Sequence, residues 1–430
     1  MKTFKLYTLG CKVNQYETQA IREDFISAGF SEVNLKKPAD IYVINSCTVT
    51  GRADSKSLDL IRKARQENPL AKIILTGCLV SGKDAKMYKK LGADLIVSNQ
   101  WKNQLVGIVK SKKPIGKKAT SEFLPLKISG FKGHSRVFVK IQDGCNNICA
   151  YCKIPLVRGK SRSRPLSDIK KEVERLVKKG FKEIVLTGIC LGDYGSGLPI
   201  REGRLIDITD VIEELEKIKA GFRVRLSSIE AKDISQRLIE KLSKSKRLCR
   251  HLHIPFQSGD NEILKKMQRK YSVSDYLLTV KKLRKKIPDI AITTDIMVGF
   301  PAEKERNFKN TLRFVEQVSP SRTHIFPFSP RPGTSAWGLS DRIPTARIKK
   351  REELVRELAD RMAQDFYREF KNHTLTVLTE HRRDKQSGLL KGYSENYIPV
   401  KFSGSDNLMG ELVKIKVKQV KEGYILGQKL

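Results

Sequence analysis

The chain has 430 residues and carries 84 Lys and Arg against 47 Asp and Glu, which gives a formal net charge of +37. An enzyme that acts on small neutral metabolites does not need so large a positive charge. The charge instead predicts a polyanionic partner, and a nucleic acid is the foremost candidate. The sequence has neither an apolar run of membrane length nor a signal-peptide pattern, so we expect a cytoplasmic protein with no membrane partner. In the cytoplasm its 8 cysteines indicate thiols or metal ligands rather than disulfides.

Residues 1–109 alternate strand-like runs with amphipathic helical stretches, a pattern typical of a doubly wound parallel sheet in an α/β fold. Cys11, Cys47 and Cys78 each follow one of the predicted strands. Loops after the carboxyl ends of parallel strands share one edge of such a sheet, so the fold is expected to bring the three thiols together. They would hold three irons of a 4Fe-4S cluster and leave the fourth open. The alternative is three small buried residues in βα turns.

A basic linker, residues 110–133, is predicted to separate this domain from a second α/β domain, residues 134–368. In the second domain six strand-like segments alternate with helical ones, which indicates an incomplete (β/α)6 barrel. A Cys-x-x-x-Cys-x-x-Cys motif, formed by Cys145, Cys149 and Cys152, follows the first of these strands. We therefore expect it on the barrel face that carries the active sites of such folds.

The spacing of this second triplet favours an iron–sulfur cluster over zinc. A zinc site would more often combine a Cys-x-x-Cys pair with a second such pair or with histidines, and neither follows nearby. A cubane cluster normally takes four thiolates. Three thiolates therefore predict either a distant fourth ligand or an iron that is open to a substrate or cofactor.

The last predicted domain, residues 369–430, follows a charged helix and contains only strand-like segments. Five short strands joined by turns that contain Gly or Asn fit a small OB-like β-barrel, which is a common platform for nucleic acids. The alternative is a small β cap that only packs against the central barrel.

Both cysteine triplets and the terminal barrel together resemble the methylthiotransferases of the radical SAM superfamily. That family has the same domain order: a three-cysteine domain, a radical SAM partial barrel and a C-terminal TRAM domain. The sequence LGCKVNQYE at residues 9–17 looks like the branch that modifies threonylcarbamoyladenosine beside the tRNA anticodon. Further stretches similar to the family are residues 226–230, 251–259, 293–301 and 328–334.

The resemblance implies two 4Fe-4S clusters and S-adenosylmethionine (SAM) as cofactors. Cys145, Cys149 and Cys152 would hold the cluster that binds SAM and cleaves it to a deoxyadenosyl radical, which takes the hydrogen from C2 of the adenine. The triplet of residues 11, 47 and 78 would hold the cluster that carries the sulfur, to be methylated by another SAM. The implied partners are the tRNA anticodon stem-loop, a reduced electron donor and a sulfur source.

The resemblance also suggests residues around these cofactors. The candidates for binding SAM are Tyr151, Thr187, Gly188, Ser228, Glu230, Gln257 and Asp295. Arg158, Arg162 and Arg164 follow the second triplet and are candidates for binding anticodon-stem phosphates, the alternative being a solvent-exposed basic loop. Cys190 and Cys249 match neither cluster spacing and stay unassigned.

Three other functions stay open at this point. Two lie within the same superfamily: methylthiolation of isopentenyladenosine in tRNA, and methylthiolation of an aspartate of a ribosomal protein. The third is a non-catalytic, metal-stabilised RNA-binding protein. It explains the charge and the terminal barrel, but not two separate cysteine triplets at the ends of strands.

Overall fold

The structure is a computed structural model that describes residues 1–80, 85–111, 122–201 and 203–430. Residues 112–121 of the predicted basic linker lie outside the described residues. Within the described parts of the chain, no helix combines the length and the apolar character that crossing a membrane requires.

The N-terminal region is a five-stranded sheet whose strands follow the order β2-β1-β3-β4-β5 and all run parallel. Its strands are β1 (Thr3–Thr8), β2 (Ser31–Glu32), β3 (Ile41–Ser46), β4 (Lys72–Gly77) and β5 (Leu95–Ile96). Its helices are α1 (Lys12–Ser27), α2 (Gly51–Glu67), α3 (Ala85–Lys90) and α4 (Leu105–Ser111).

Every residue of β3 is buried, because helices cover both faces of this sheet. On one face Phe25 of α1 and Ile108 of α4 pack with Val43. On the other face Ile61 of α2 packs with Ile44. Strands buried on both sides read as continuous apolar runs, which is why the sequence pattern is clear here. The predicted doubly wound parallel sheet is confirmed.

The central region contains six parallel strands that form a partial barrel, with helices outside it. Its strands are β6 (Val137–Lys140), β7 (Gln142–Asp143), β8 (Arg162–Ser163), β9 (Glu183–Thr187), β10 (Arg223–Leu226), β11 (His251–His253), β12 (Ala291–Val298) and β13 (Arg322–Pro327). Of these, β7 and β8 form a separate two-stranded antiparallel sheet. Its helices are α5 (Ile154–Arg158), α6 (Leu166–Lys178), α7 (Ile208–Glu216), α8 (Gln236–Lys244), α9 (Asn261–Lys266), α10 (Val273–Lys286) and α11 (Glu305–Val318).

The six strands consist of two halves, in the orders β6-β9-β10 and β11-β12-β13. Two isolated parallel bridges, Val224 with Leu248 and Ser228 with His253, join the halves between β10 and β11. We call this junction the seam. The strand sequence β6-β9-β10-β11-β12-β13 follows chain order, so the predicted incomplete (β/α)6 barrel is confirmed.

Helix α10 shows why the outer helices form where they do. Ser272 and Asp275 make a reciprocal capping box at its start, which satisfies two otherwise free backbone N–H groups. Tyr276, Val280 and Leu283 recur at helical spacing and are buried against the strands. The cap and the apolar stripe therefore both favour a helix that begins at this position and packs against the strands.

The C-terminal region follows the long helix α12 (Thr345–Arg368) and is a closed five-stranded barrel with the strand order β14-β15-β16-β18-β17. Its strands are β14 (Thr374–Thr379), β15 (Leu390–Ser394), β16 (Pro399–Phe402), β17 (Leu412–Lys421) and β18 (Tyr424–Lys429). Val377, Ile415 and Ile425 are fully buried in its own small core. The predicted small β-barrel is confirmed.

Buried arginines attach the C-terminal barrel to the amino-terminal ends of the central strands. Arg223 donates to the carbonyls of Thr376 and Tyr393, both at 2.8 Å. Arg225 donates to the carbonyl of Ser394 at 3.0 Å, and both guanidinium groups also bind Glu183. The three regions therefore meet around the central strands, with the C-terminal barrel opposite the end where the cysteines lie.

Candidate functional site

Cys11, Cys47 and Cys78 lie at one edge of the N-terminal sheet, directly after β1, β3 and β4. The edge is narrow: Gly10 has a φ of +92°, and a Cβ at this position would lie 2.7 Å from Sγ of Cys47. Only glycine fits there. Burial, reinforced by the nearby thiols of Cys78 and Cys11, raises the pKa of Cys47 to about 11. The structure thus brings the three cysteines together as the sequence pattern predicts.

Cys145, Cys149 and Cys152 lie in the loop that follows β6 and β7, at the carboxyl end of the barrel strands. Backbone hydrogen bonds hold this loop: the N–H of Ala150 donates to Met267 at 2.9 Å, and the N–H of Ala336 donates to Ala150 at 2.7 Å. Burial raises the pKa of Cys152 to about 12. Such a thiol is protonated at neutral pH, so binding iron would displace its proton.

A buried ion network lies between the two triplets. Arg158 donates to both oxygens of Glu17 and to Oδ1 of Asp143, at distances of 2.9 to 3.1 Å. Glu17 also binds Lys102 at 2.5 Å and Lys140 at 2.7 Å. Although burial alone would raise the pKa of Glu17, these three cations hold it well below its ordinary value. The network joins the N-terminal and central regions, since Glu17 and Lys102 belong to the first and the other groups to the second.

The network corrects part of the prediction for the arginines. Arg158 and Arg164 are not placed to bind phosphates, because each is only 3% exposed and its guanidinium group is bound to carboxylates. Arg164 donates to Glu172 at 2.8 Å. Arg162 is partly exposed and approaches Asp143 at 3.4 Å, so of the three it alone retains a surface available to RNA.

Sequence reasoning missed Arg269, which lies beside the second triplet. Its Nη1 donates to Sγ of Cys149 at 3.3 Å and lies 2.9 Å from Oε1 of Glu230. Glu230, predicted to bind SAM, is thus held by an arginine that also contacts a cysteine. Arg158 makes the equivalent contact in the first triplet, where its Nε donates to Sγ of Cys78 at 3.2 Å. No spacing in the sequence signals either contact.

The donor set of each triplet fits a 4Fe-4S cluster. Each site offers three free cysteine thiols, and thiolates are the ligands of such clusters. Each site also has a guanidinium N–H directed at one of the sulfurs, which suits a thiolate better than a neutral thiol. The N-terminal triplet would be held by the ends of three strands, and the central triplet by one loop.

A cavity of about 190 Å³ lies between the two triplets. One wall is formed by Thr48, Val49 and Thr50, which follow Cys47, and the opposite wall by the loop with Tyr151 and Cys152. The remaining lining includes Gln257, Asp295, Met297 and Phe326. Among the described residues, Oε1 of Gln257 is buried without a hydrogen-bond partner. Three predicted residues, at positions 151, 257 and 295, therefore line one cavity.

Other predicted residues lie at the strand ends but do not line this cavity. Thr187 is the last residue of β9 and Gly188 follows it, where a Cβ would lie 2.8 Å from Oε1 of Gln142. Ser228 lies at the seam, where its carbonyl accepts from Leu191 at 3.2 Å. Cys190 is buried, and its Sγ lies 3.6 Å from Oδ2 of Asp233.

A second, larger groove of about 820 Å³ lies on the C-terminal barrel and is rich in cations and aromatic rings. Its lining includes Lys132, Arg382, Lys391 and Lys401, and the ammonium of Lys401 lies 4.1 Å from the ring centroid of Tyr424. Cations combined with aromatic surfaces suit a nucleic acid, because one binds the phosphates and the other stacks with bases.

Known families match all three regions of the chain. Residues 3–98 match the family described as "Uncharacterized protein family UPF0004". Residues 139–315 match the Radical SAM superfamily, and residues 368–430 match the TRAM domain family. A threonylcarbamoyladenosine tRNA methylthiotransferase MtaB of Thermotoga maritima is 39% identical, over 99% of this chain and 96% of that protein. A tRNA-2-methylthio-N(6)-dimethylallyladenosine synthase of Pelotomaculum thermopropionicum is 31% identical, over 99% of this chain and 97% of that protein.

Among solved structures, the radical S-adenosylmethionine methyltransferase TsrM from Kitasatospora setae, with cobalamin and a [4Fe-4S] cluster bound, is similar with a TM-score of 0.55. The similarity covers 78% of this chain and 76% of that chain at 11% sequence identity, so it concerns the fold alone. The full-length relatives and the three matched families together show that the chain belongs to the radical SAM methylthiotransferase family, in its MtaB-like branch.

Proposed function

We propose that this enzyme attaches a methylthio group to C2 of N6-threonylcarbamoyladenosine at position 37 of tRNA. The observation that carries the proposal is the cavity of about 190 Å³, whose walls come from the loops after Cys47 and around Cys152. A base held there would lie between the two triplets. The choice of nucleoside is supported by relatives that are named for it and match nearly the whole chain.

The cofactors are SAM and two 4Fe-4S clusters. We assign Cys11, Cys47 and Cys78 to one cluster, and Cys145, Cys149 and Cys152 to the cluster that binds SAM. When bound, these groups would supply the radical chemistry, in which one equivalent of SAM would be converted to 5′-deoxyadenosine and methionine on uptake of the C2 hydrogen, and a second to S-adenosylhomocysteine on loss of its methyl group. A sulfur source provides the sulfur atom, and a reduced electron donor provides the electron that starts the reaction.

The residues of the chain position the reacting groups and exclude water. Tyr151 and Phe326 give the cavity its apolar walls, while Gln257 and Asp295 offer acceptors to the N–H groups of a base. Thr187, Gly188, Ser228 and Glu230 lie at the carboxyl ends of the strands near the second triplet, where we place SAM. Positioning of this kind is the part of catalysis that the protein itself provides.

Two features of the chain support tRNA binding. The net charge of +37 favours a polyanion, and the groove on the C-terminal barrel combines cations with aromatic rings. We place the anticodon stem-loop between this groove and the cavity, with Arg162 as the remaining candidate of its loop for a phosphate contact. The divisions 1–109, 110–133, 134–368 and 369–430 remain our proposed domains, and the tRNA substrate implies a cytoplasmic enzyme.

The test uses the full-length protein with its clusters reconstituted anaerobically. It is incubated with SAM, dithionite as reductant, sulfide, and a tRNA that carries threonylcarbamoyladenosine. We expect about eight irons per chain, formation of 5′-deoxyadenosine, and the methylthio nucleoside in a digest analysed by mass spectrometry. Cys78→Ala should lose about half of the iron and all of the product. Cys249→Ala is the matched control, because Cys249 is equally buried but belongs to neither triplet.

The open alternatives predict different results in the same assay. Product on a tRNA with isopentenyladenosine, but none on the threonylcarbamoyl tRNA, would reject our choice of nucleoside while keeping the enzyme class. Methylthiolation of a ribosomal-protein aspartate would reject tRNA as the substrate. Bound zinc and no 5′-deoxyadenosine would leave only an RNA-binding protein.

A further inference from the structure

We propose that two buried arginines each tune the reduction potential of one cluster through a hydrogen bond to a cysteine sulfur. Arg158 acts on the cluster of the N-terminal triplet, and Arg269 acts on the SAM cluster. The inference rests on the proposed assignment of two clusters to the two cysteine triplets. It concerns two side chains that the sequence pattern does not connect with cysteine chemistry, since one was expected at the RNA surface and the other was overlooked.

The environment of Arg158 fixes its guanidinium group completely. Nη1 is shared between Glu17 and Asp143 at 2.9 Å each, while Nη2 donates to Asn14 at 2.6 Å and to Glu17 at 3.1 Å. The remaining donor, Nε, is 3.2 Å from Sγ of Cys78. Because the other donors are held by fixed acceptors, the N–H at Nε cannot turn away from the sulfur.

Arg269 is held in the same manner by different partners. Nη1 lies 2.9 Å from Oε1 of Glu230, and both Nε and Nη2 donate to the hydroxyl of Tyr271, at 3.3 and 3.1 Å. Its contact with the second triplet is the 3.3 Å hydrogen bond from Nη1 to Sγ of Cys149. Its side chain is only 4% exposed. Each triplet thus has one sulfur that accepts from its own buried arginine.

A hydrogen bond to a ligand sulfur and a nearby positive charge both affect the potential of an iron–sulfur cluster. Reduction adds negative charge to the cluster, so both effects stabilise the reduced form and raise the potential. The effect is large here because both guanidinium groups are buried, where charges are screened less than in water. Removing either contact should therefore make the potential of the neighbouring cluster more negative.

The two arginines differ in the charges around them. Arg158 belongs to a group in which two buried carboxylates face three buried cations, the other cations being Lys102 and Lys140. Arg269 has one carboxylate partner among the described residues, Glu230. The N-terminal site thus lies beside a net positive network. The SAM site lies beside a neutral pair and a further carboxylate, that of Asp193, which accepts from the N–H of Asn146 in the second cysteine loop at 3.3 Å. We infer that the chain keeps the N-terminal cluster easier to reduce than the SAM cluster.

The experiment is a redox titration monitored by electron paramagnetic resonance on full-length, reconstituted protein. Replacing all three cysteines of one triplet by alanine gives a chain that holds a single cluster and assigns each signal. Arg158→Lys and Arg158→Gln are expected to shift only the midpoint of the N-terminal cluster to more negative values, and Arg269→Lys and Arg269→Gln only that of the SAM cluster. The Lys variants, which keep the charge, should shift less than the Gln variants.

Arg361→Gln is the matched control, because Arg361 is 61% exposed on α12 and far from both triplets. Unchanged midpoints in variants with full iron content would overturn the proposal, and so would equal shifts of both clusters in every variant. If a Gln variant does not fold, the Lys variant decides. A parent protein without iron at the N-terminal triplet would instead reject the two-cluster assignment, and with it the role of Arg158.

Discussion

Two buried carboxylates hold the regions of the molecule together, and they lie at opposite ends of the central strands. Glu17 binds one arginine and two lysines at the carboxyl end, between the cysteine triplets. Glu183 binds three arginines at the amino end, beneath the C-terminal barrel. Both carboxylates are buried, and cations hold the pKa of each well below its ordinary value in spite of burial.

The partners on the far side of each interface differ. At Glu17 the network consists of side chains and ends on a cysteine sulfur. At Glu183 two of the arginines, Arg223 and Arg225, donate to the backbone carbonyls of Thr376, Tyr393 and Ser394 in the C-terminal barrel. The third, Arg136, donates to the side chain of Glu380 at 2.7 Å. The first interface is therefore held by side chains and contacts a cysteine of the N-terminal triplet. The second depends on the shape of the attached backbone and serves to dock a domain.

Glu17→Gln should have the largest effect. Among the described residues it leaves Arg158 and Lys140 with Asp143 as the one remaining carboxylate, and Lys102 with none. Breaking a buried ion pair costs roughly 3–5 kcal/mol, so the free energy of unfolding should fall by about that amount. Methylthiolated product should disappear with it. Guanidinium denaturation and the tRNA assay measure the two effects.

Glu316→Gln is the control for Glu17→Gln, since Glu316 forms an exposed pair with Arg361 at 3.2 Å. Exposed pairs contribute about 0–1 kcal/mol. Equal losses of stability in the two variants would show that the buried network is not special.

Glu183→Gln should have a smaller effect on stability, roughly 1.5–3 kcal/mol, because Arg223 and Arg225 keep their hydrogen bonds to backbone carbonyls. Since the C-terminal barrel would loosen while the cysteine loops stay in place, tRNA should bind more weakly. Formation of 5′-deoxyadenosine without tRNA should be unchanged. Loss of that reaction would show that the two interfaces are not separable.

The attachment of the C-terminal barrel should depend on pH. Glu183 has a lowered pKa in the folded chain, so its contribution to stability is full above the ordinary glutamate pKa. The contribution is lost as the pH falls below about 4. Denaturation curves of the parent and of Glu183→Gln measured between pH 7 and pH 3 test this, because their difference isolates Glu183. A difference that stays constant over this range would contradict the prediction.

Changes on the groove of the C-terminal barrel should have the smallest effects. Lys401→Gln is expected to weaken tRNA binding a few-fold and to reduce the salt dependence of binding by about one ion. The matched control is Lys63→Gln, since Lys63 is 59% exposed on α2 and distant from the groove. Equal losses in the two variants would indicate a general effect of charge rather than a binding groove.

The sequence predicts the fold well where a structural element is determined by residues close together in the chain. The strands of the N-terminal sheet are continuous apolar runs. Cys11, Cys47 and Cys78 follow three of these strands within a few residues, so their place at the edge of the sheet follows from the strand positions. Helix caps such as Ser272 with Asp275 agree with the apolar stripe behind them. In these regions the pattern within a short stretch of sequence is enough to predict where each residue lies in the fold.

The sequence fails where a partner is distant along the chain. Arg158 stands in a run of basic residues that resembles a solvent-exposed loop, yet Glu17 neutralises it from 141 positions away. Arg269 contacts Cys149 across 120 positions. Charge patterns within a short window cannot reveal such pairs, because the compensating group belongs to another element. A lysine at the end of an otherwise apolar strand, such as Lys140 in β6, is a local hint of a buried partner.

The seam has a mechanical consequence. Among the described residues, three backbone hydrogen bonds cross the seam, donated by the N–H groups of Val224, Cys249 and Ile229. By contrast, β12 and β13 pair along a register of six residues. The seam is therefore a weaker junction than the pairing of β12 with β13. Tyr397 of the C-terminal barrel contacts Arg225 on one side, and His251 and Arg322 on the other. The C-terminal barrel thus limits how far the two halves can move apart, and we expect faster amide exchange at Cys249 after Tyr397→Ala.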